Sequence, residues 1–293
     1  MKSFATFHPF VLFIYYVMII TITMFIIHPV ILILSLIGSV LFFSMLTTGL
    51  NVLKDIGFYV LVLLLIAITN PLFVHKGETI LFFLNDKPVT FEAIIYGFVI
   101  AAMLVAVIFW SKSYSVLMTT DKFLYLFGKM IPKLALVLSM AFRFIPLFKI
   151  QIIKVHAAQK SLGLYSSNSI ADRIMSGIRV FNSILTWSLE NSIIQADAMK
   201  AKGYGLPRRT NFSMFNIDKR DVTVLILLFS MIAIIFFAQL TDNFNFNFYP
   251  VISEFTFTAE TILYFTIIFL LTVFPFIIEV KENLHWKLLK RKI

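Results

Sequence analysis

Six long apolar segments constrain the fold of this chain more than any other feature of its sequence. They cover residues 9–27, 29–47, 56–73, 91–110, 222–240 and 258–280. Each approaches the length of about 20 residues that a helix needs to cross roughly 30 Å of hydrocarbon. Hydrophobic residues make up 60% of the chain and charged residues only 14%, a balance too apolar for a soluble domain. The sequence therefore predicts an all-α, polytopic membrane protein with about six transmembrane helices.

The positions of the basic residues predict the orientation of these helices. If the N-terminus is cytoplasmic, the outer loops hold only Lys76 and Lys87 of the 25 Lys and Arg residues. Because basic residues concentrate in cytoplasmic loops, we expect both termini on the cytoplasmic side of the inner or plasma membrane. The net charge of +10 is explained by this topology, and nucleic acid is not an expected partner.

The residue types that membrane enzymes and ion-driven carriers use are scarce in this sequence. There is no cysteine, and the five histidines are scattered, so no catalytic residue, metal site or cofactor is expected. The chain has no Gly-x-x-x-x-Gly-Lys-Ser/Thr segment for ATP phosphates and no ionisable residue near the middle of a span. A transporter without either energy source has to obtain energy from an ATPase partner.

The chain divides into three predicted sections. Residues 1–110 hold about four spans, and residues 222–293 hold two spans and a basic cytoplasmic tail. Between them, residues 111–221 form a section that is too charged for another pair of ordinary spans. We expect this section to lie in the cytoplasm or at the membrane interface, and residues 131–153 either cross the membrane or only enter it.

Two helices are predicted in the middle section. The first begins near Pro146, since proline suits an opening helical turn, and ends at Gly163. The second starts after Ser169, where Asp172 gives a pattern like a capping box, and ends at Gly203. One face of the second helix is apolar, which is typical of a helix lying along a surface. This face comprises Ile170, Ile174, Ile178, Phe181, Leu185, Leu189 and Ile193.

The two predicted helices end alike. The sequence AQKSLG at residues 158–163 returns as AMKAKG at residues 198–203. Each glycine suits a left-handed cap, and a cation in the last turn stabilises the helix dipole by about 0.3–1 kcal/mol whatever the partner. Because the pattern occurs twice, we favour docking of a partner protein over a purely structural role.

Four blocks occur in an order that resembles a known family. They are Asn70-Pro71-Leu72-Phe73 followed by Gly77, then Arg143-Phe144-Ile145-Pro146, then the two helix ends. In these blocks the chain resembles the transmembrane (T) component of energy-coupling factor (ECF) transporters, the EcfT/CbiQ family. The resemblance implies a subunit without catalysis that joins two ABC ATPases to a substrate-binding membrane protein, the S component. The complex would take up a vitamin or a metal ion such as cobalt.

The resemblance also implies which residues meet the ATPases. In the family, each helix end carries an Ala-Arg-Gly-like triplet whose Arg enters a groove on one ATPase. Leu162 and Lys202 stand at the Arg positions here, so Lys202 is expected to dock with altered geometry and Lys160 to supply the other cation. Arg143 and Pro146 are expected to orient the coupling helices. The implied docking residues are Lys160, Leu162, Gly163, Lys200, Ala201, Lys202 and Gly203.

Two other classes of function remain open at this point. A self-contained secondary carrier or channel would move solute through liposomes that hold this chain alone. A membrane scaffold without a transport role would show no ATP-dependent uptake.

Overall fold

The structure is a computed structural model that describes residues 3–47, 50–84, 87–128, 130–163, 170–204, 215–241, 243–255 and 258–292. These residues form nine α-helices, a short 3₁₀ turn and one β-hairpin, which confirms the predicted all-α class. The helices are α1 (Pro9–Phe25), α2 (Pro29–Leu46), α3 (Leu50–Phe73), α4 (Phe91–Leu117), α5 (Thr120–Gly128), α6 (Pro132–Ser161), α7 (Ile170–Ala201), α8 (Lys219–Leu240) and α9 (Ala259–Lys292). The strands are β1 (Ile80–Leu84) and β2 (Lys87–Thr90).

Six of these helices, α2, α3, α4, α6, α8 and α9, are long and apolar enough to cross a membrane. The prediction of a multi-pass membrane protein is therefore confirmed, although α6 was not among the expected spans. The apolar helix α1 has 17 residues, at the lower end of the range for spanning helices. It ends at Phe25, before the predicted limit, because Ile26 and His28 are extended and Pro29 disfavours a helical residue before it.

The chain forms two compact units, and the second covers residues 120–214 with α5, α6 and α7. In the first unit, α4 packs against α1, α2 and α3, and α2 also packs against α9. A Cβ added to Gly38 on α2 would lie 2.9 Å from the Thr272 Cβ on α9. A Cβ added to Gly97 on α4 would lie 2.6 Å from the Ala67 carbonyl oxygen on α3. Glycine is therefore required at both crossings, as is common where membrane helices approach closely.

Aromatic residues fill the core of the first unit. Tyr15, Phe42 and Trp110 are fully buried there. Their polar atoms are satisfied, since the Trp110 Nε1–H donates to Ser35 Oγ (3.0 Å) and the Tyr15 hydroxyl donates to the Leu271 carbonyl (3.1 Å). These bonds link α1 to α9 and α2 to α4, so they fix which helix faces meet.

The N-terminal segment is held against α8 and α9 by two buried carboxylates. The Phe4 N–H donates to Glu279 Oε2 (3.1 Å), and the His8 N–H donates to Asp221 Oδ1 (3.2 Å). The Phe4 ring is fully buried, and the Arg220 guanidinium lies 3.9 Å from the centroid of the Phe7 ring. These contacts join the start of α1 to α8 and α9 at one end of the first unit.

The opposite end of the first unit carries a β-hairpin that the sequence analysis missed. β1 and β2 pair antiparallel between α3 and α4. The Glu78 N–H donates to the Pro250 carbonyl (3.3 Å), and Tyr96 packs edge-on against Phe248 and Tyr249. The loops before α4 and after α8 therefore meet at one end of this unit. Residues 244–249 form no strand, although aromatic and polar residues alternate in this segment.

In the second unit, α6 packs against both α5 and α7. The predicted start of its first long helix near Pro146 is wrong, because α6 begins at Pro132 and continues through Pro146. A proline inside a helix removes one backbone hydrogen bond. Phe144 and Phe148 stack on each other across this position, and Phe148 also contacts Trp187 on α7, so packing holds the helix together there.

Candidate docking site

The end of α6 is closed by a glycine in the left-handed conformation. The Leu162 N–H donates to the Ala158 carbonyl (3.2 Å), and the Gly163 N–H donates to the Lys160 carbonyl (3.0 Å). Gly163 has φ +74°, which glycine adopts without the steric cost that a Cβ would add. The left-handed cap predicted at Gly163 is confirmed. Residues 164–169, with Tyr165 and the predicted cap Ser169, lie outside the described residues.

The end of α7 repeats this closure. The Lys202 N–H donates to the Ala198 carbonyl (3.1 Å), and the Gly203 N–H donates to the Lys200 carbonyl (3.0 Å). Gly203 has φ +75°, within one degree of Gly163, so the second predicted cap is also confirmed. The sequence repeat at residues 158–163 and 198–203 is therefore a repeat of backbone structure.

At the end of α7, Tyr204 completes the closure. The Tyr204 N–H donates to the Met199 carbonyl (3.1 Å), which together with the Gly203 bond forms a Schellman motif. The Tyr204 and Met199 side chains line the same groove, as the apolar contact of this motif requires. Tyr204 thus fixes the conformation of Lys202 and Gly203.

The side chains of both ends point into open space. Lys160 and Lys202 are exposed, and neither forms an ion pair in the part of the chain that the structure describes. Lys200 Nζ lies 3.8 Å from Asp197 Oδ1, but both side chains are at least 70% exposed, so this pair contributes little to stability. Leu162, at the position of the missing cation, is 75% exposed.

The two ends lie at opposite ends of an antiparallel helix pair. Near the start of α6, Leu136 lines a groove together with Met199 near the end of α7. Twelve residues later on α6, Phe148 contacts Trp187, which lies twelve residues earlier on α7. The two helices therefore run in opposite directions. At 1.5 Å per residue, this register separates the ends by roughly 40 Å. The arrangement therefore presents two cationic helix ends at well-separated points, as binding to two protein surfaces requires.

A groove runs between the two helices beside the end of α7, and we call it the α6–α7 groove. Its walls are Leu136, Met140 and Phe144 of α6 and Ala196 and Met199 of α7. The groove holds two neighbouring cavities that share these α6 residues and Met199, the larger of about 430 Å³ and the smaller of about 120 Å³. Lys200 lines the larger cavity, Ser139 and Arg143 line the smaller one, and Gln195 and Tyr204 line both.

The structure brings some of the predicted site residues together and separates others. Arg143 lines the smaller cavity of the α6–α7 groove and Lys200 the larger one, while Lys160 and Gly163 lie at the far end of α6. Pro146 is exposed on α6, outside the groove lining. Tyr204 was not predicted to be part of the second cap, although its position directly after Gly203 is the signal that a Schellman motif provides.

Comparison with known proteins identifies the family. The model of the CbiQ family, described as cobalt transport protein, matches residues 4–213, which include both helix ends and the α6–α7 groove. The chain belongs to the CbiQ family. The resemblance to the T component of ECF transporters is thereby confirmed, and α8 and α9 of this CbiQ-family protein lie beyond the matched residues.

A curated relative supports the same assignment. This CbiQ-family protein is 29% identical over 178 residues to the energy-coupling factor transporter transmembrane protein EcfT of Staphylococcus aureus (strain 04-02981). The similarity covers 57% of this chain and 66% of the relative, just under two thirds of its length. In the part of the chain that the structure describes, no group of three or more His, Cys, Asp or Glu residues is placed to hold a metal ion.

Proposed function

We propose that this CbiQ-family protein is the coupling subunit of an ECF-type importer in the cytoplasmic membrane. In this proposal it transmits the ATP-driven motion of two ABC ATPases to a substrate-binding S component, and it catalyses no reaction itself. The observation that carries the proposal is the repeated helix end, which has the same backbone closure and an exposed lysine at both sites. Family membership supports it.

The two helix ends are the proposed ATPase contacts. Each ATPase would receive one end, because the ends lie roughly 40 Å apart along the helix pair. Lys202 would enter a carboxylate-bearing groove on one ATPase as a point charge, without the bidentate geometry of Arg. At the other end, Leu162 would pack into an apolar part of the partner groove while Lys160 supplies the charge. The left-handed glycines hold both tips in one conformation before binding.

The apolar face of α7 is the proposed contact with the S component. Its seven residues from Ile170 to Ile193 are 45–77% exposed in the chain alone, which a soluble protein surface would not tolerate as a continuous stripe. A membrane partner would cover this face without desolvating a charge. Movement of the ATPases would then turn α6 and α7 and reorient the S component. Arg143 and Pro146 would set the orientation of α6 in this movement.

The substrate class that this assembly serves is a vitamin or a metal ion such as cobalt. The substrate would bind to the S component, so its specificity residues would lie on that protein. The section from residue 111 to 221 is proposed to be the coupling domain between two membrane domains, with both termini in the cytoplasm.

Charge reversal at Lys202 tests the docking assignment. In cells that express the whole transporter, we expect Lys202→Glu to reduce the ATPases recovered with the membrane subunit at least about tenfold, because it places like charges at a desolvated contact. ATP-dependent uptake should fall in parallel. Lys202→Arg should retain both, since it keeps the positive charge and supplies the guanidinium that the family uses.

Lys149→Glu serves as the matched control, because Lys149 is an exposed cation on α6 away from both ends. Equal ATPase recovery and uptake for Lys202→Glu and wild type would refute the assignment. Solute flux in liposomes that hold the purified chain alone would instead support a self-contained carrier.

A further inference from the structure

The α6–α7 groove combines an apolar interior with a cationic rim. Its walls come from two methionines, a leucine, a phenylalanine and an alanine, whereas Arg143 lies at its smaller cavity and Lys200 at its larger one. No ion pair or hydrogen bond engages Arg143 in the part of the chain that the structure describes. Among the described residues, Lys200 forms an ion pair with Asp197 alone, at 3.8 Å. A ligand that fills the groove would therefore need an apolar portion and an anionic group.

The surroundings of the groove are suited to contact with the bilayer. α6 is apolar enough to enter a membrane, and none of its most apolar 18-residue window is buried inside the chain. Leu134, Val137 and Ile145, on the same helix as the groove walls, are 50–63% exposed. A groove on such a helix is reached from the lipid phase without passing through water.

We propose that the α6–α7 groove binds one anionic phospholipid. An acyl chain would lie against Met140, Phe144 and Met199, which line both cavities, and the phosphate would accept hydrogen bonds from the Arg143 guanidinium at the smaller cavity. Arginine is well suited to this role because its planar fork matches the oxygens of a phosphate. Gln195 and Tyr204 line the same cavity as Arg143 and would supply further polar contacts for the headgroup.

The bound lipid would connect the membrane to the end of α7. Met199 and Tyr204 line the groove and also form the Schellman motif that holds Lys202. Occupancy would therefore stabilise the α7 tip in its closed conformation. The site itself does not depend on the ATPases, so lipid binding is measured on the chain alone and is independent of the docking proposal.

Native mass spectrometry of the full chain in detergent tests the site. Phosphatidylglycerol and phosphatidylcholine with identical acyl chains are titrated separately. We expect wild type to prefer phosphatidylglycerol, and Arg143→Gln to weaken phosphatidylglycerol binding about fivefold while leaving phosphatidylcholine unchanged. Arg143→Lys should retain most of the preference. Ala196→Phe should weaken the binding of both lipids because its ring fills the groove.

Two control variants separate this site from general effects. Lys154→Gln removes an exposed cation of α6 outside the groove, and Ala171→Phe adds a ring on α7 outside it. Both should bind phosphatidylglycerol as wild type does. Inorganic phosphate should not displace the lipid, since it lacks the acyl chain.

Three results would overturn the proposal. The first is unchanged phosphatidylglycerol binding in both Arg143→Gln and Ala196→Phe. The second is equal affinity of wild type for the two lipids, which would leave an apolar surface without headgroup recognition. The third is displacement of the lipid by inorganic phosphate, which would indicate a plain anion site.

Discussion

Gly163 and Gly177 allow the backbone requirement of the docking tip to be measured at single residues. An added Cβ would meet nothing within 4 Å at either position, so packing does not distinguish them. Gly163 has φ +74°, whereas Gly177 lies inside α7. Alanine costs about 1–2 kcal/mol in the left-handed region, but it is about 1 kcal/mol better than glycine inside a helix.

We therefore expect opposite effects of the same substitution. Gly163→Ala should raise the hydrogen-exchange rate of the last turn of α6 about tenfold, since 1.4 kcal/mol corresponds to a factor of ten. Gly177→Ala should slow exchange in α7. Exchange followed by mass spectrometry on the full chain in detergent measures both. A shift in the same direction for the two variants would show that the cap does not control the tip.

At this scale, what the sequence reveals depends on how local the feature is. The cap glycines and the cations at Lys160 and Lys200 were predictable, because a helix end is determined by residues within one turn. The position of Arg143 and Tyr204 at the same cavity was not predictable, since it depends on how two helices pair across more than 50 intervening residues. Pairing of this kind leaves no local periodicity.

At the scale of elements, α6 shows where local rules mislead. Proline at a helix start is a good general rule, and it placed the start at Pro146. The proline at Pro132 satisfies the same rule and is the true first residue of the helix. The apolar run between them belongs to the helix, and the aromatic contacts of Phe144 and Phe148 keep it continuous.

The hairpin between α3 and α4 was missed for a different reason. β1 is apolar at all five positions and exposed throughout, so it lacks the alternation that marks a strand with one buried face. The available signal is the polar pair Asn85-Asp86 between two short runs, a pattern favoured in hairpin turns. Those two residues lie outside the described residues.

The contact between the N-terminal segment and α9 gives a prediction about stability. Glu279 is 2% exposed, and its Oε2 accepts the Phe4 N–H at 3.1 Å. Glu279→Ala would leave this buried N–H without an acceptor, at a cost of about 1–3 kcal/mol. We expect a lower melting temperature of the purified chain in detergent and faster proteolysis near Phe4.

Two further variants identify the cause of any such loss. Glu279→Gln keeps an oxygen acceptor and should lose less stability than Glu279→Ala. Glu282→Ala removes a carboxylate of the same helix that forms no hydrogen bond or ion pair within the described residues, and this variant should melt like wild type. If Glu279→Ala and Glu282→Ala melted at the same temperature, the carboxylate would have no role in holding the N-terminal segment.

For the whole molecule, contacts inside the first unit limit how the chain crosses the membrane. The loop before α4 and the loop after α8 meet, since the Glu78 N–H donates to the Pro250 carbonyl and Tyr96 of α4 contacts Phe248. We expect α4 to cross the membrane away from this end and α8 to cross back to it, so the section between them would cross an even number of times. α7 is not among the helices apolar enough to span. We infer that α6 enters the membrane interface without crossing, which agrees with its mean hydropathy of 1.7, the lowest of the six candidates.

Because the natural sequence has no cysteine, single cysteines report this topology without background labelling. Lys87→Cys on β2, Val251→Cys after α8 and Lys287→Cys on α9 replace exposed residues. An impermeant maleimide should label positions 87 and 251 in intact cells, and position 287 only in inverted vesicles, because the outer loops hold so few basic residues. Labelling of 87 and 251 from opposite sides would mean that α6 crosses the membrane alone. Labelling of all three from the reversed sides would place the helix ends that carry Lys160 and Lys202 outside the cell, where no ATPase could bind them.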